Sequence, residues 1–468
     1  QNAGAAADLS PAILERSLLH SSGSYFVPNA RITAHSCRTN LPPNTAMRGF
    51  GAPQAMFVIE SAIARAAEAL GLPAADIQRR NLLSEGDPFP YGMRVERSQA
   101  RRAFTELEGR AGVAGLRREM DDFNRGHAFT KRGLALMPVC FGISFTSTFL
   151  NQASALVHVY TDGSVSVSTA AVEMGQGVNT KIAGIAARTL GVRPERIRIE
   201  TTNTTRVANT SPTAASSGAD MNGRATELAC RTILERLLIV AADLLGVEAG
   251  RVTVSEGAVL VDGAPTELGW ERLVWTAYTR RVSLSAQAHY ATPHIHYDRT
   301  REKGQPFAYH VFGSAAIEVT VDCLRGTYTV DRVWAVHDAG RSLNPLVDRG
   351  QLEGGLVQGL GWMTCEELLF DGGRLLSGNL TNYKIPDLMA TPEIDATFLD
   401  DADNPHAVLS SKAIGEPPLM YGIGAYFALL DAMKAFRPQL PAFFTAPMTP
   451  ERMLMALWPS SSTPPAAR

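Results

Sequence analysis

One order of elements occurs twice along this chain, and the repetition is the tightest constraint on how it folds. Residues 155–192 read "ALVHVYTDGSVSVSTAAVEMGQGVNTKIAGIAARTLGV". Apolar residues alternate on either side of Asp162-Gly163, which predicts a hairpin, then a glycine-rich turn, then a helix. Residues 315–362, "AAIEVTVDCLRGTYTVDRVWAVHDAGRSLNPLVDRGQLEGGLVQGLGW", repeat the succession of strand, glycine turn, strand, loop and glycine-rich helix with little identity between the copies. The expected fold class is α+β: two related lobes of strand pairs with crossover helices rather than a doubly wound sheet. The lobes are expected at residues 136–300 and 301–468, after an N-terminal segment 1–135. Elsewhere "PQAMFVIESAIARAAEALG" at 53–71 predicts a helix, with proline at its first position and Gly71 as its stop. Residues 222–246 predict another helix, 251–264 a short hairpin and 460–468, "SSSTPPAAR", a frayed tail.

Composition narrows the functional classes. At 468 residues and 45% hydrophobic, the chain is large enough for a self-sufficient core. A net charge of -2, with no Lys/Arg cluster, argues against nucleic acid as a partner. Apolar runs such as "ILERLLIVAADLLGV" are broken by charges and too short to span a bilayer, so no membrane span is expected. Cys37, Cys140, Cys230, Cys323 and Cys365 are scattered and form no C-x-x-C pair. That spacing points away from a disulfide framework, zinc or an iron–sulfur site, and toward a reducing cytoplasm. The chain opens at Gln1 without an initiator methionine or a signal pattern, which predicts a processed piece or a fragment.

Three glycine-rich turns carry more polar residues than a plain turn needs: "MRGFGAPQ", "EMGQGVNT" and "NTSPTAASSGADMNG". Glycine lets backbone N–H groups approach a ligand, and a helix start beyond it favours an anion, so together the turns resemble a cradle for a phosphate-bearing cofactor. Taken singly, each reads more readily as a tight turn at a strand end, and it is their joint occurrence that points to a cradle. No G-x-G-x-x-G follows a strand and no G-x-x-x-x-G-K-[ST] occurs, which speaks against dinucleotide and nucleoside triphosphate sites. "KAIGEPPLMYGIG" sets Glu416 between a glycine and two prolines at the mouth of an apolar run, with no arginine nearby in sequence. Such an acid either caps a helix or is kept dry to act as a base. His294 and His296 in "HIHYD" have the spacing of a solvent-facing strand.

"NTAMRGFGAPQ", "SFTSTFLNQASALVHVYTDGSVSV", "EMGQGVNTK", "NTSPTAASSGADMNG", "SLNPLVDRGQLEG" and "SKAIGEPPL" stand in the order found in the molybdopterin-binding part of xanthine dehydrogenases. From Asp8 to Leu457 the chain resembles the C-terminal portion of the molybdenum subunit of that family, the second molybdopterin-binding part of a molybdenum hydroxylase. The resemblance implies molybdopterin with molybdenum as cofactor, and iron–sulfur clusters and FAD on partner chains. It implies hydroxylation of a purine, hypoxanthine to xanthine to urate, with water-derived oxygen entering a ring carbon and hydride passing to a molybdenum sulfido group. An aldehyde or another N-heterocycle as substrate, or a non-catalytic assembly role, are its alternatives.

Carried over residue by residue, Glu416 matches the catalytic base, a role that contributes about 10²- to 10⁴-fold. Arg16 matches the arginine directed at the purine, where a fixed guanidinium stabilises developing charge. Phe50 and Phe145 match the aromatic pair around the flat substrate, and Thr146 follows the second. Gly175, Gln176, Ser216 and Gln351 match positions around the pterin and its phosphate, and the backbones of Arg48 and Ala215 match positions near the metal. Gly415 is expected to leave room for the metal, and Pro417 and Pro418 to stiffen the turn. Met47 and Ala52 depart from the family's "AFRGFGGPQ", and the family's "GGGFGGKE" loop is nowhere in the chain. A partner chain carrying that missing half of the molybdenum domain is therefore expected.

Overall fold

The computed structural model describes residues 1–207 and 209–459, so the expected tail at 460–468 lies outside the described residues. The elements that frame the site begin with helices α1 (Ser10–Leu19) and α2 (Ala52–Leu70), then strands β1 (Thr130–Ile143), β2 (Gln152–Val159) and β3 (Val165–Thr169). Helix α3 (Val178–Leu190), strand β4 (Ile197–Ile199), helix α4 (Gly218–Leu245) and strand β5 (Ser285–Ala291) complete the first lobe. Strands β6 (Tyr309–Asp322) and β7 (Thr327–His337), helix α5 (Pro345–Thr364), strand β8 (Glu393–Phe398) and helix α6 (Gly424–Phe436) form the second. Helix α4 starts four residues before its expected position, with Asp220 in its first turn, where a negative charge favours the helix dipole. The hairpin at 251–264 forms from Val252–Ser255 and Ala258–Val261 and gains a third strand, Ala264–Gly269.

The two lobes share one topology. In the first sheet β2 and β3 pair antiparallel, β4 runs parallel to β3 after the α3 crossover, and β5 flanks β2, giving the order β5-β2-β3-β4. In the second, β6 and β7 pair antiparallel, β8 runs parallel to β7 after α5, and β1 flanks β6, giving the order β1-β6-β7-β8. The long helices follow suit: α4 packs on β5 and β2, and α6 on β1 and β6. The difference lies in where the flanking strand comes from. Strand β5 follows its lobe, whereas β1 precedes the first lobe and pairs with β6 across it, so the expected divide at residue 135 falls inside β1.

Strand β1 explains its own composition. Leu134, Leu136 and Cys140 point to a core shared with the N-terminal residues Leu83, Phe89 and Phe104. Ala135, Met137, Val139, Phe141 and Ile143 point to the core under α6. Burial on both faces produces a continuous apolar run instead of alternation. Pro138 is tolerated because β1 is an edge strand, where a missing ladder N–H costs little. One helical stretch, Pro417–Phe436, is long and apolar enough by composition to cross a membrane, but 72% of its apolar window is buried inside the fold.

Helix α5 brings the second lobe to the segment that follows Glu416. Gly355 and Gly359, four residues apart, share one helix face. A Cβ on Gly359 would stand 2.0 Å from the carbonyl oxygen of Leu419, and one on Gly422 would stand 2.2 Å from the carbonyl carbon of Gly359. Helix and segment therefore meet backbone to backbone. Gly359→Ala is expected to destabilise the fold by about 1–3 kcal/mol through overpacking, read as a lower melting temperature, whereas Gly350→Ala, where a Cβ meets nothing within 4 Å, is expected to leave it unchanged or raised.

Candidate functional site

Glu416 is held from both sides of its loop. Ahead of it, Lys412 is buried, its Nζ pairing with the fully buried Asp338 at the end of β7 and donating to the His310 carbonyl at 3.0 Å. The Lys412 N–H donates to the Ala339 carbonyl at 2.9 Å. Burial first, and then the Lys412 charge, push the His310 and His337 imidazoles down to about 3, so neither carries a charge against this pair at neutral pH. Behind Glu416, Pro417 and Pro418 open a buried 3-10 turn, Pro417–Ile423, that runs into α6. Proline costs nothing at a helix start, where its missing N–H would have had no partner.

The half-buried Glu416 lacks an arginine nearby in sequence but not in space. Burial lowers the pKa of the Arg16 guanidinium and pushes that of Arg48 down to about 10, and in both cases the Glu416 charge is the leading opposing influence. One arginine comes from α1 and the other from the turn before α2. Glu416 Oε2 also accepts a hydrogen bond of 2.6 Å from the Ser216 hydroxyl. Arg16 is 2% exposed, lies 4.6 Å from the Phe141 ring centroid, and donates to the carbonyls of Ser144 at 2.7 Å and Gly142 at 2.5 Å, while its Nε has no partner. The Ser144 carbonyl sits immediately before Phe145 and Thr146. Asn151 clamps that loop, its Oδ1 accepting from the Phe145 N–H at 2.8 Å and its Nδ2 donating to the Phe145 carbonyl at 2.9 Å.

Arg48 reaches α5, donating to Gln358 Oε1 at 3.0 Å and to the Gln351 carbonyl at 3.1 Å, with its buried Nε unpartnered. Phe50, at φ 49, and Arg48 line a cavity of about 40 Å³ with Ile13, Met47, Trp362 and Leu419. Gly175 and Gln176 stand apart in an exposed turn before α3. Gln176 is committed within that turn: its Nε2 donates to the Val172 carbonyl at 2.8 Å and its Oε1 accepts from the Met174 N–H at 2.5 Å. Glu173 accepts from the backbone N–H groups of Gly175 and Gly177 at 2.9 Å and of Asn179 at 3.0 Å. Burial raises its pKa, but these bonds outweigh that and lower it on balance.

The structure thus gathers Glu416, Ser216, Arg16 and Arg48, ties Gln351 to Arg48, and sets Phe145 and Thr146 beside the carbonyls that hold Arg16. No hydrogen bond joins the Gly175-Gln176 turn to Glu416 or Arg48 among the described residues. The space opposite Gly415 faces Ser216, whose Oγ would be 3.0 Å from an added Cβ, so the glycine admits that serine. The Ser216 hydroxyl is spent on Glu416. Lys412, Asp338 and Asn151 were not singled out from sequence, although Lys412 stands in the same motif as Glu416. His294 and His296 belong to an exposed segment, and no cluster of three or more metal-ligating side chains occurs among the described residues. All five cysteines are free.

An anionic cofactor fits what is present. Arg48 combines an orphaned buried Nε with uncharged hydrogen-bond partners, and a Cβ on Gly175 would meet nothing within 4 Å, leaving the outer face of that turn open. Ala215 and Ser216, at φ 55 and 57, turn the third glycine-rich loop back toward Glu416.

Comparison with known proteins agrees. Residues 106–392 match the molybdopterin cofactor-binding domain family, and residues 1–82 match a second family of the same description. Quinoline 2-oxidoreductase from Pseudomonas putida 86 superimposes with a TM-score of 0.80 at 25% identity over 95% of this chain and 57% of its own. An aldehyde oxidoreductase from Desulfovibrio desulfuricans shares the fold, with a TM-score of 0.81 at 22% identity over 97% of this chain and 46% of its own. Fold and family match together define a molybdopterin cofactor-binding unit. The xanthine dehydrogenase/oxidase of Rattus norvegicus is 42% identical over 94% of this chain and 32% of its own length, and xanthine dehydrogenase 1 of Arabidopsis thaliana is 38% identical over 99% and 33%. The chain belongs to the molybdopterin cofactor-binding domain family, and it spans about a third of the length of these curated relatives.

Lys412→Met would leave the Asp338 carboxylate buried and unpaired, and it is expected to cost about 3–5 kcal/mol of stability in urea denaturation. Adding Asp338→Asn should recover part of that loss, because the uncompensated charge, rather than the missing attraction, dominates the cost.

Proposed function

We propose that the chain forms the base and substrate side of a molybdenum-dependent hydroxylase acting on a purine, hypoxanthine to xanthine to urate. The observation that carries this reading is the Glu416 carboxylate, tied to Ser216 through one oxygen and set in the field of the buried Arg16 and the half-buried Arg48. When bound, the molybdenum of the pterin cofactor supplies a water-derived oxygen and accepts two electrons. Arg48, Gln351, the Ala215 backbone and the Gly175-Gln176 turn would hold that cofactor. Because Oε2 of Glu416 is engaged by Ser216, Oε1 is the atom left to take a proton. Arg16 stabilises negative charge that builds on the purine, and Phe50 and Phe145 orient the flat ring at low entropic cost.

The remaining cofactor contacts, the iron–sulfur clusters and FAD are assigned to sequence outside this third of the relatives' length or to partner chains. Leu380, Leu388 and Met389, which are 72%, 88% and 91% exposed, offer apolar surface for such a contact. The five unpaired cysteines fit a reducing compartment such as the cytoplasm. A second reading, hydroxylation of an aldehyde or another N-heterocycle, draws on the two Arg16 N–H groups already committed to carbonyls and on the likeness to quinoline 2-oxidoreductase.

Two substitutions in the complete enzyme separate these readings. Glu416→Gln is expected to keep molybdenum content near that of the unsubstituted enzyme while turnover falls by about two orders of magnitude or more; turnover within threefold would instead support a non-catalytic assembly role. Arg16→Met is expected to slow purine oxidation about a hundredfold, equivalent to about 3 kcal/mol, while sparing a simple aromatic aldehyde. Equal losses on both substrates would make Arg16 a folding residue.

A further inference from the structure

We infer that Ser216 is a positioning residue for the base: its hydroxyl fixes Oε2 of Glu416 so that Oε1 is presented to the reacting proton. The inference rests on the reading of Glu416 as the base. Ser216 donates the one hydrogen bond that this carboxylate receives among the described residues, at 2.6 Å. It does so across a gap of 200 residues, from the loop that opens α4 in the first lobe to the loop that opens α6 in the second.

Two features of the backbone serve that contact. Residue 415 has no side chain, and a Cβ there would stand 3.0 Å from the Ser216 Oγ and 3.4 Å from its Cβ, so any larger residue would crowd the hydroxyl. Ser216 and Ala215 are consecutive left-handed residues at φ 57 and 55, a conformation that is costly for residues with a Cβ. Glycine would relieve the strain at 216 but would bring no hydroxyl.

The test compares Ser216→Ala, Ser216→Gly, Glu416→Gln and the double variant Ser216→Ala with Glu416→Gln in the complete, cofactor-loaded enzyme. A hydrogen bond to a charged group is worth enough that kcat is expected to fall about tenfold in both serine variants, with KM within about twofold. Molybdenum and pterin content should be unchanged. Ser216→Gly should melt no lower than Ser216→Ala yet lose as much activity, which separates loss of the hydroxyl from backbone strain. The double variant should be no slower than Glu416→Gln, because the two groups act as one unit. Unchanged kcat in Ser216→Ala beside an inactive Glu416→Gln would overturn this inference alone. A loss that tracks falling molybdenum or pterin content would overturn it in favour of a cofactor contact. Retained turnover in Glu416→Gln would overturn the base assignment and this inference with it.

Discussion

The buried pair between Lys412 and Asp338 links the second sheet to the loop that carries the carboxylate. Taking two charges out of water is expensive, and their attraction repays it only when the remaining hydrogen-bonding groups also find partners. Here the lysine adds the His310 carbonyl, and its own backbone N–H bonds Ala339. The pair therefore contributes position more than net stability: it pins the loop to the end of β7 four residues before Glu416. A second buried pair, Lys181 with Asp348, joins α3 of the first lobe to α5 of the second. Across the same seam, Val347 of α5 closes the space beside Gly177. These contacts keep the two lobes in register, and the site lies where their loops meet.

The lobes use equivalent positions for different purposes. After β3, Glu173 turns its carboxylate onto the N–H groups of its own loop, at the start of α3. After β7, Asp338 holds the corresponding place and is closed off by Lys412. One turn keeps an open outer face at Gly175, while the other has become a structural joint. A carboxylate that accepts local backbone donors leaves its turn facing solvent, whereas one that takes a buried cation draws the following loop onto the sheet. That difference in partner draws the loop that carries Glu416 onto the second sheet.

Much of this was legible along the chain. Alternation around Asp162-Gly163, the glycine turns and the glycine-rich helices specified both strand pairs and their crossovers, because these are local patterns of period two and 3.6. Glu416 stood out because an acid beside a glycine and two prolines lacks a helical partner. Strand β1 escaped notice, since burial on both faces erases the alternation by which a strand is recognised. The convergence of Arg16, Arg48 and Ser216 on Glu416 escaped as well, since each lies at least 200 positions away in the chain.

The sequence by itself determined the type of each element, the doubling of one unit, and the residues able to serve as base, cation or aromatic wall. Propensity, turn chemistry and side-chain ionisation are properties of short stretches. Only the tertiary structure decided which sheet β1 joins, that Gly415 makes way for Ser216, that Gln176 is spent within its own turn, and which oxygen of Glu416 stays free. Those outcomes depend on distances between segments brought together by the packing of two lobes, and a close backbone approach or a buried ion pair leaves no local trace in either partner.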